Sequence, residues 1–155
     1  MIEGHERTIR AAQGYSELSM FDDALAELDS LPPETAGHEE VVELRATILM
    51  RAKRWAPALA ASRAFCALQP ARAGGYLQAA FCLHAMGRTS EARAVLLRGP
   101  VALHAEPGYH YNLACYECVL GNLKLARMHL EKSIELDKKY RNYAKGDPDL
   151  AALHP

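Results

Sequence analysis

The chain has no run close to the roughly 20 consecutive apolar residues that a membrane-spanning helix needs. Its first residues, Met1-Ile2-Glu3-Gly4-His5-Glu6, show neither a positive segment nor an apolar stretch, so no secretory leader is expected. Cysteine is scarce. Cys66, Cys82, Cys115 and Cys118 are too few and too dispersed for a disulfide framework in 155 residues, and reduced thiols in a cytoplasm are the simpler expectation. Isoleucine, valine and threonine are thin, while alanine, leucine, glutamate and arginine are plentiful, which favours helix over strand. Glycine-rich phosphate loops, serine elbows and H-E-x-x-H metal motifs do not occur. No catalytic residue, cofactor or resident metal is therefore expected.

What is present is enough apolar material for a continuous core, since 50% of the residues are hydrophobic. Charge is segregated. Residues 1 to 44 hold eleven acids and two bases, and residues 45 to 155 hold eight acids and sixteen bases. That asymmetry suits partner steering or weak head-to-tail self-association, and it also fits two solvated helix surfaces of opposite sign.

The sequence repeats. Ala12, Ala46, Ala80 and Ala114 recur every 34 residues, and so do Ala24, Ala58, Ala92 and Ala126, twelve residues behind them. Leu18, Ala52, Met86 and Leu120 keep an apolar character at the same spacing. Ser19, Lys53, Gly87 and Gly121 fall where a turn would sit. Each unit reads as helix, short turn, helix. Small residues let two antiparallel helices approach closely, while larger apolar neighbours fill the space around them. One such pair cannot bury its apolar face, but stacked pairs can. The spacing predicts helices over 4–18, 21–31, 38–52, 55–68, 72–86, 89–98, 106–120 and 123 to about 139. The weakest connections are Leu31-Pro32-Pro33-Glu34 and Gly99-Pro100, where proline ends a helix.

The alanine columns, Tyr15, Pro70, Tyr76 and the fourth unit's Tyr109-His110-Tyr111-Asn112-Leu113-Ala114-Cys115-Tyr116 resemble the tetratricopeptide-repeat (TPR) family. Arg45 and Lys53 depart from the family's usual leucine and glycine, and Ser19 replaces the turn glycine. Residues 107 to 154, with Asp147-Pro148-Asp149-Leu150, resemble the end-of-group repeat of many bacterial TPR proteins. Asp147 would be an N-cap with Pro148 at the first helical position, and Leu150 and Leu153 would share one face that docks on the last repeat. The resemblance implies an all-α, right-handed α-solenoid in one domain spanning 1–155. It would hold four helix-turn-helix units, at about 5–38, 39–72, 73–106 and 107–140, with a short C-terminal capping helix in 141–155.

By the same resemblance, the first helix of each pair lines a concave groove that holds a peptide or helix of a partner protein. The first two units would contribute Glu6, Ile9, Arg10, Gln13, Glu17, Glu40, Glu43, Thr47, Met50 and Arg51. The last two would contribute Leu77, Gln78, Phe81, His84, Tyr111, Asn112, Cys115 and Cys118, the preferred peptide-binding set. The family's carboxylate clamp is not expected, because Glu40, Glu43, Leu77 and Gly108 stand near its basic positions. The function implied is a non-enzymatic interaction adaptor, or alternatively a dedicated chaperone for a secreted or assembling client. A third reading, from a different class, is a thiol or metal protein using the C-x-x-C pair Cys115 and Cys118. The run Lys138-Lys139-Tyr140-Arg141 reads as a solvated helix end, and no nucleic acid or membrane partner is expected.

Overall fold

A computed structural model describes residues 2–154; Met1 and Pro155, the ends of the expected domain, lie outside the described residues. Within that range ten α-helices and two 3₁₀ segments form, and no strand. The eight long helices are α1 (Glu6–Glu17), α2 (Phe21–Asp29), α4 (Glu39–Arg51), α5 (Trp55–Leu68), α6 (Gly74–Ala85), α7 (Thr89–Leu97), α8 (Pro107–Val119) and α9 (Leu123–Leu136). They pair in sequence order: α1 with α2, α4 with α5, α6 with α7, α8 with α9. All eight column alanines are fully buried, at 0% exposure.

The helices divide into two compact units, one through Pro70 and one from Ala71. In the first, Ala12, Ala24, Leu28, Leu31, Val41 and Ile48 form a core cluster, with Ile9, Phe21 and Leu44 packed against it. Arg45, anomalous beside the family pattern, stands half-buried and pairs with Asp29 at 2.9 Å, joining α4 to α2. In the second unit the largest fully buried side chains include Tyr116, Leu83, Leu96, Leu103, Leu113 and Leu150.

The turn inside each pair has one geometry. Ser19, Lys53, Gly87 and Gly121 all take positive φ, at 59°, 58°, 79° and 87°. The amide after each reaches back five residues, as in Met20 N–H to the Tyr15 carbonyl (2.9 Å) and Asn122 N–H to that of Glu117 (2.8 Å). This is the Schellman closure, which favours glycine because a Cβ is strained in the left-handed region. Ser19 and Lys53 accept that strain. Ser19→Gly and Lys53→Gly should each stabilise the protein by about 0.5–1 kcal/mol, the conformational relief exceeding glycine's greater freedom in the unfolded chain. Thermal melts would read this as a rise in Tm for each variant.

Three expectations need correction. The Pro32-Pro33 connection is not bare loop: Pro32 is extended (φ −63°, ψ 153°) and Pro33 opens a four-residue helix, α3 (Pro33–Ala36), because a fixed φ suits the first helical position. Likewise Pro100 precedes a 3₁₀ segment, Val101–Ala105, and Leu103 packs so tightly on Gly99 that a Cβ there would come within 2.3 Å of its Cδ1. Third, α9 stops at Leu136, three residues early, where Asp137 turns extended (φ −152°) and its carboxylate accepts the Lys139 N–H at 3.1 Å. The chain then restarts as α10 (Tyr140–Lys145), and the short capping helix is a 3₁₀ segment, Pro148–Leu153. Asp147 does cap it, accepting the Asp149 N–H at 3.0 Å, and Leu150 and Leu153 are buried.

Candidate functional site

The first helices of the pairs are where the sequence places a binding surface, and the two units treat theirs differently. In the first unit, Gln13 of α1 and Glu40, Glu43, Leu44 and Thr47 of α4 line an open cleft of about 300 Å³. Four of these five are groove positions named from the sequence; Leu44 is the addition. Glu40 is exposed and Glu43 half-buried, so the cleft presents two carboxylates beside one apolar side chain, Leu44. The Thr47 hydroxyl donates to the Glu43 backbone carbonyl at 3.0 Å, one turn back on the same helix.

In the second unit the C-terminal segment folds back over the corresponding helices. The 3₁₀ segment packs chiefly on α8 and less on α9. Tyr111 donates its hydroxyl proton to Asp147 Oδ2 at 2.6 Å, Cys115 Sγ lies 3.7 Å from the same oxygen, and His84 Nε2 meets Asp149 Oδ2 at 2.7 Å. Of the eight residues in the preferred set, this strap gathers His84, Tyr111 and Cys115. Cys118 is also buried, Leu77, Gln78 and Asn112 are half-buried, and Phe81 is exposed. Tyr111, Cys115 and Cys118, none more than 9% exposed, offer no surface to a guest while the strap is in place. Sequence spacing put Leu150 and Leu153 on one face expected to dock on the last repeat, and the segment does pack on that repeat's helices, α8 and α9.

Burial raises the Cys115 thiol from its ordinary range, and the carboxylates of Asp147 and Asp149 push it further the same way. A nucleophilic cysteine needs the opposite environment. Burial likewise raises the Tyr111 phenol, with the hydrogen bond to Asp147 adding to it. Tyr116, at 1% exposure, stacks 4.8 Å from the His84 ring, and its hydroxyl has no hydrogen-bond partner among the described residues.

A second aromatic cluster lies where α8 meets α9. His110 stacks on His129 at 5.9 Å and donates from Nε2 to the His104 carbonyl, 3.0 Å away. Burial, then the neighbouring charge of His110, lowers the His129 pKa below 6.5, with Glu117 opposing. A lowered folded-state pKa means the unfolded chain takes up its proton first. The contribution is intact above the ordinary histidine range and is lost as pH falls through the lowered value. The Tm should therefore drop between about pH 7 and about pH 5, and the drop should be shallower in His129→Gln.

No protein-family model matches the chain, and no curated protein matches it in sequence. Solved structures do match its fold. MamA 41-end from Desulfovibrio magneticus superposes with a TM-score of 0.77 at 19% identity, covering 86% of this chain and 76% of that one. A thermophilic TPR protein in Thermus thermophilus gives 0.75 at 19% identity, covering 96% and 80%. A further MamA crystal structure gives 0.74 at 14% identity, covering 90% and 82%. The fold is of the TPR type. With identities this low the likeness speaks for the helix-turn-helix repeat alone. No helix among the described residues is long and apolar enough to cross a membrane.

Proposed function

We propose that the protein is a non-enzymatic interaction adaptor that holds a segment of another polypeptide, and that the first unit's cleft is a principal contact surface for it. The observation that carries this reading is the cleft itself: Gln13, Glu40, Glu43 and Thr47 stand at the positions where TPR repeats present side chains to a guest, and the space before them is open. The TPR-type fold of the solved relatives supports an interaction role in general. Glu40 and Glu43 favour a guest with lysine or arginine beside an apolar anchor that reaches Leu44. In the second unit Phe81 is the exposed member of the preferred set and Leu77, Gln78 and Asn112 are half-buried, and that surface is read as a further contact. The four free thiols, three of them buried, suit a reducing compartment such as the cytoplasm.

The test is affinity capture from native lysate, followed by titration of the recovered partner's binding segment. Glu40→Lys combined with Glu43→Lys alters a solvated surface and should leave the circular dichroism unchanged while weakening the segment's binding about tenfold or more. Equal capture and equal affinity in the double variant would remove the cleft from the reading.

A further inference from the structure

The strap brings together more ligating chemistry than a cap requires. Cys115 Sγ, a carboxylate oxygen of Asp147 and one of Asp149 lie within 4.8 Å of one another. His84 Nε2 stands outside that group and touches it at one member, 2.7 Å from Asp149 Oδ2. The three clustered donors come from α8 and the strap, and His84 of α6 meets the strap 65 positions away in sequence. The geometry points to a divalent metal site of the zinc class, with Cys115, His84, Asp147 and Asp149 as its ligands.

The donor set is one thiol, one imidazole and two carboxylates, which a borderline-soft tetrahedral cation accepts. A tetrahedral centre with bonds of about 2.3 Å to sulfur and about 2.0 Å to oxygen has a sulfur-to-oxygen edge of roughly 3.5 Å. Cys115 Sγ and Asp147 Oδ2 are 3.7 Å apart. His84 becomes the fourth ligand by moving: its pair with Asp149 opens by roughly 0.6 Å to a tetrahedral edge while Nε2 closes on the other two donors, a rotamer adjustment of His84 and the half-exposed Asp149.

The surroundings of the ligands argue for the same site independently. His84 Nδ1 lies 2.9 Å from Thr89 Oγ1, so a proton on Nδ1 has an acceptor and Nε2 keeps its lone pair for a cation. Tyr111 donates to Asp147, and the Asp149 N–H donates to the other oxygen of the same carboxylate, which fixes its plane. Two carboxylates beside a buried sulfur gain from a positive ion. The ion takes the place of the Cys115 thiol proton, which leaves to solvent as the metal–sulfur bond forms, and of any proton on His84 Nε2. Cys118 is not part of the group, so the site is not the C-x-x-C pair suggested by spacing.

The full chain, stripped with chelator and titrated with Co²⁺, tests this. One ion per chain should bind with thiolate-to-cobalt charge-transfer absorption, and Zn²⁺ should displace it. Cys115→Ser should abolish the charge-transfer band, Cys118→Ser should retain it, and Asp149→Asn and His84→Gln should each weaken binding at least tenfold. Binding should also tighten as pH rises, because the thiol proton is released. Absence of the band in the wild-type chain overturns the proposal, as does an undiminished band in Cys115→Ser. Should Cys115→Ser fail to fold, unchanged Co²⁺ affinity in Asp149→Asn and His84→Gln overturns it equally, since Asp149 is half-exposed and its amide keeps the same shape.

Discussion

Ala114→Leu should destabilise the protein by about 3 kcal/mol, read as a fall in the urea midpoint with an unchanged slope. Ala114 sits in the middle of α8, fully buried, on the helix most closely packed against its neighbour α9, where Ala126 is also at 0% exposure. Around it Leu113, Cys115 and Tyr116 are already buried to 5% or less. Three added carbons have no void to enter, so either α8 and α9 separate or buried neighbours leave their rotamers. The control is Ala85→Leu, the same change at an exposed residue ending α6, which should stay within about 0.5 kcal/mol of the wild type. Equal effects at both sites would mean that the column alanine is tolerated by relaxation and is not a close-approach point.

The same alanines explain how much of the fold the residues disclose. A column repeated every 34 residues reports the one place on each helix where size is restricted, and every one of the eight is fully buried. The eight long helices begin and end within three residues of the expected positions because turn residues and prolines are local signals. Ser19 and Lys53 occupy the glycine position of the turn without glycine, since the stacking on either side fixes the backbone there whatever the side chain.

Long-range polar pairing was illegible by contrast. Nothing in the order of residues tells that Asp149 meets His84, 65 positions away, or that Asp147 meets Tyr111, 36 away. The strap's apolar pair, Leu150 and Leu153, pointed to docking on the last repeat, but not to the polar partners that docking brings together. Hence the sequence could not tell that the strap would take up His84, Tyr111 and Cys115 of the preferred binding set and leave Phe81 exposed. The positions lining the open cleft, Gln13, Glu40, Glu43 and Thr47, carried the same periodic signal without aromatic residues to draw notice.

Arg93→Ala should cost about 3 kcal/mol, more than removal of an ordinary surface ion pair. Glu117 of α8 is 3% exposed, a charge almost withdrawn from water, and Arg93 of α7 donates from Nη1 to its Oε1 at 3.0 Å. Its other oxygen accepts from the Asn122 amide at 3.3 Å, a longer and neutral contact. Without the guanidinium the carboxylate keeps its desolvation cost and loses its counter-charge. The asymmetry gives a sharper test than the single variant. Removing both charges, as Arg93→Ala with Glu117→Met, should recover most of the loss, because an apolar side chain of similar size has no such requirement. In a double-mutant cycle the coupling should exceed about 1 kcal/mol. Additive losses would show that Glu117 finds sufficient solvation from Asn122 and water, and that the pair joining α7 to α8 contributes orientation without stability.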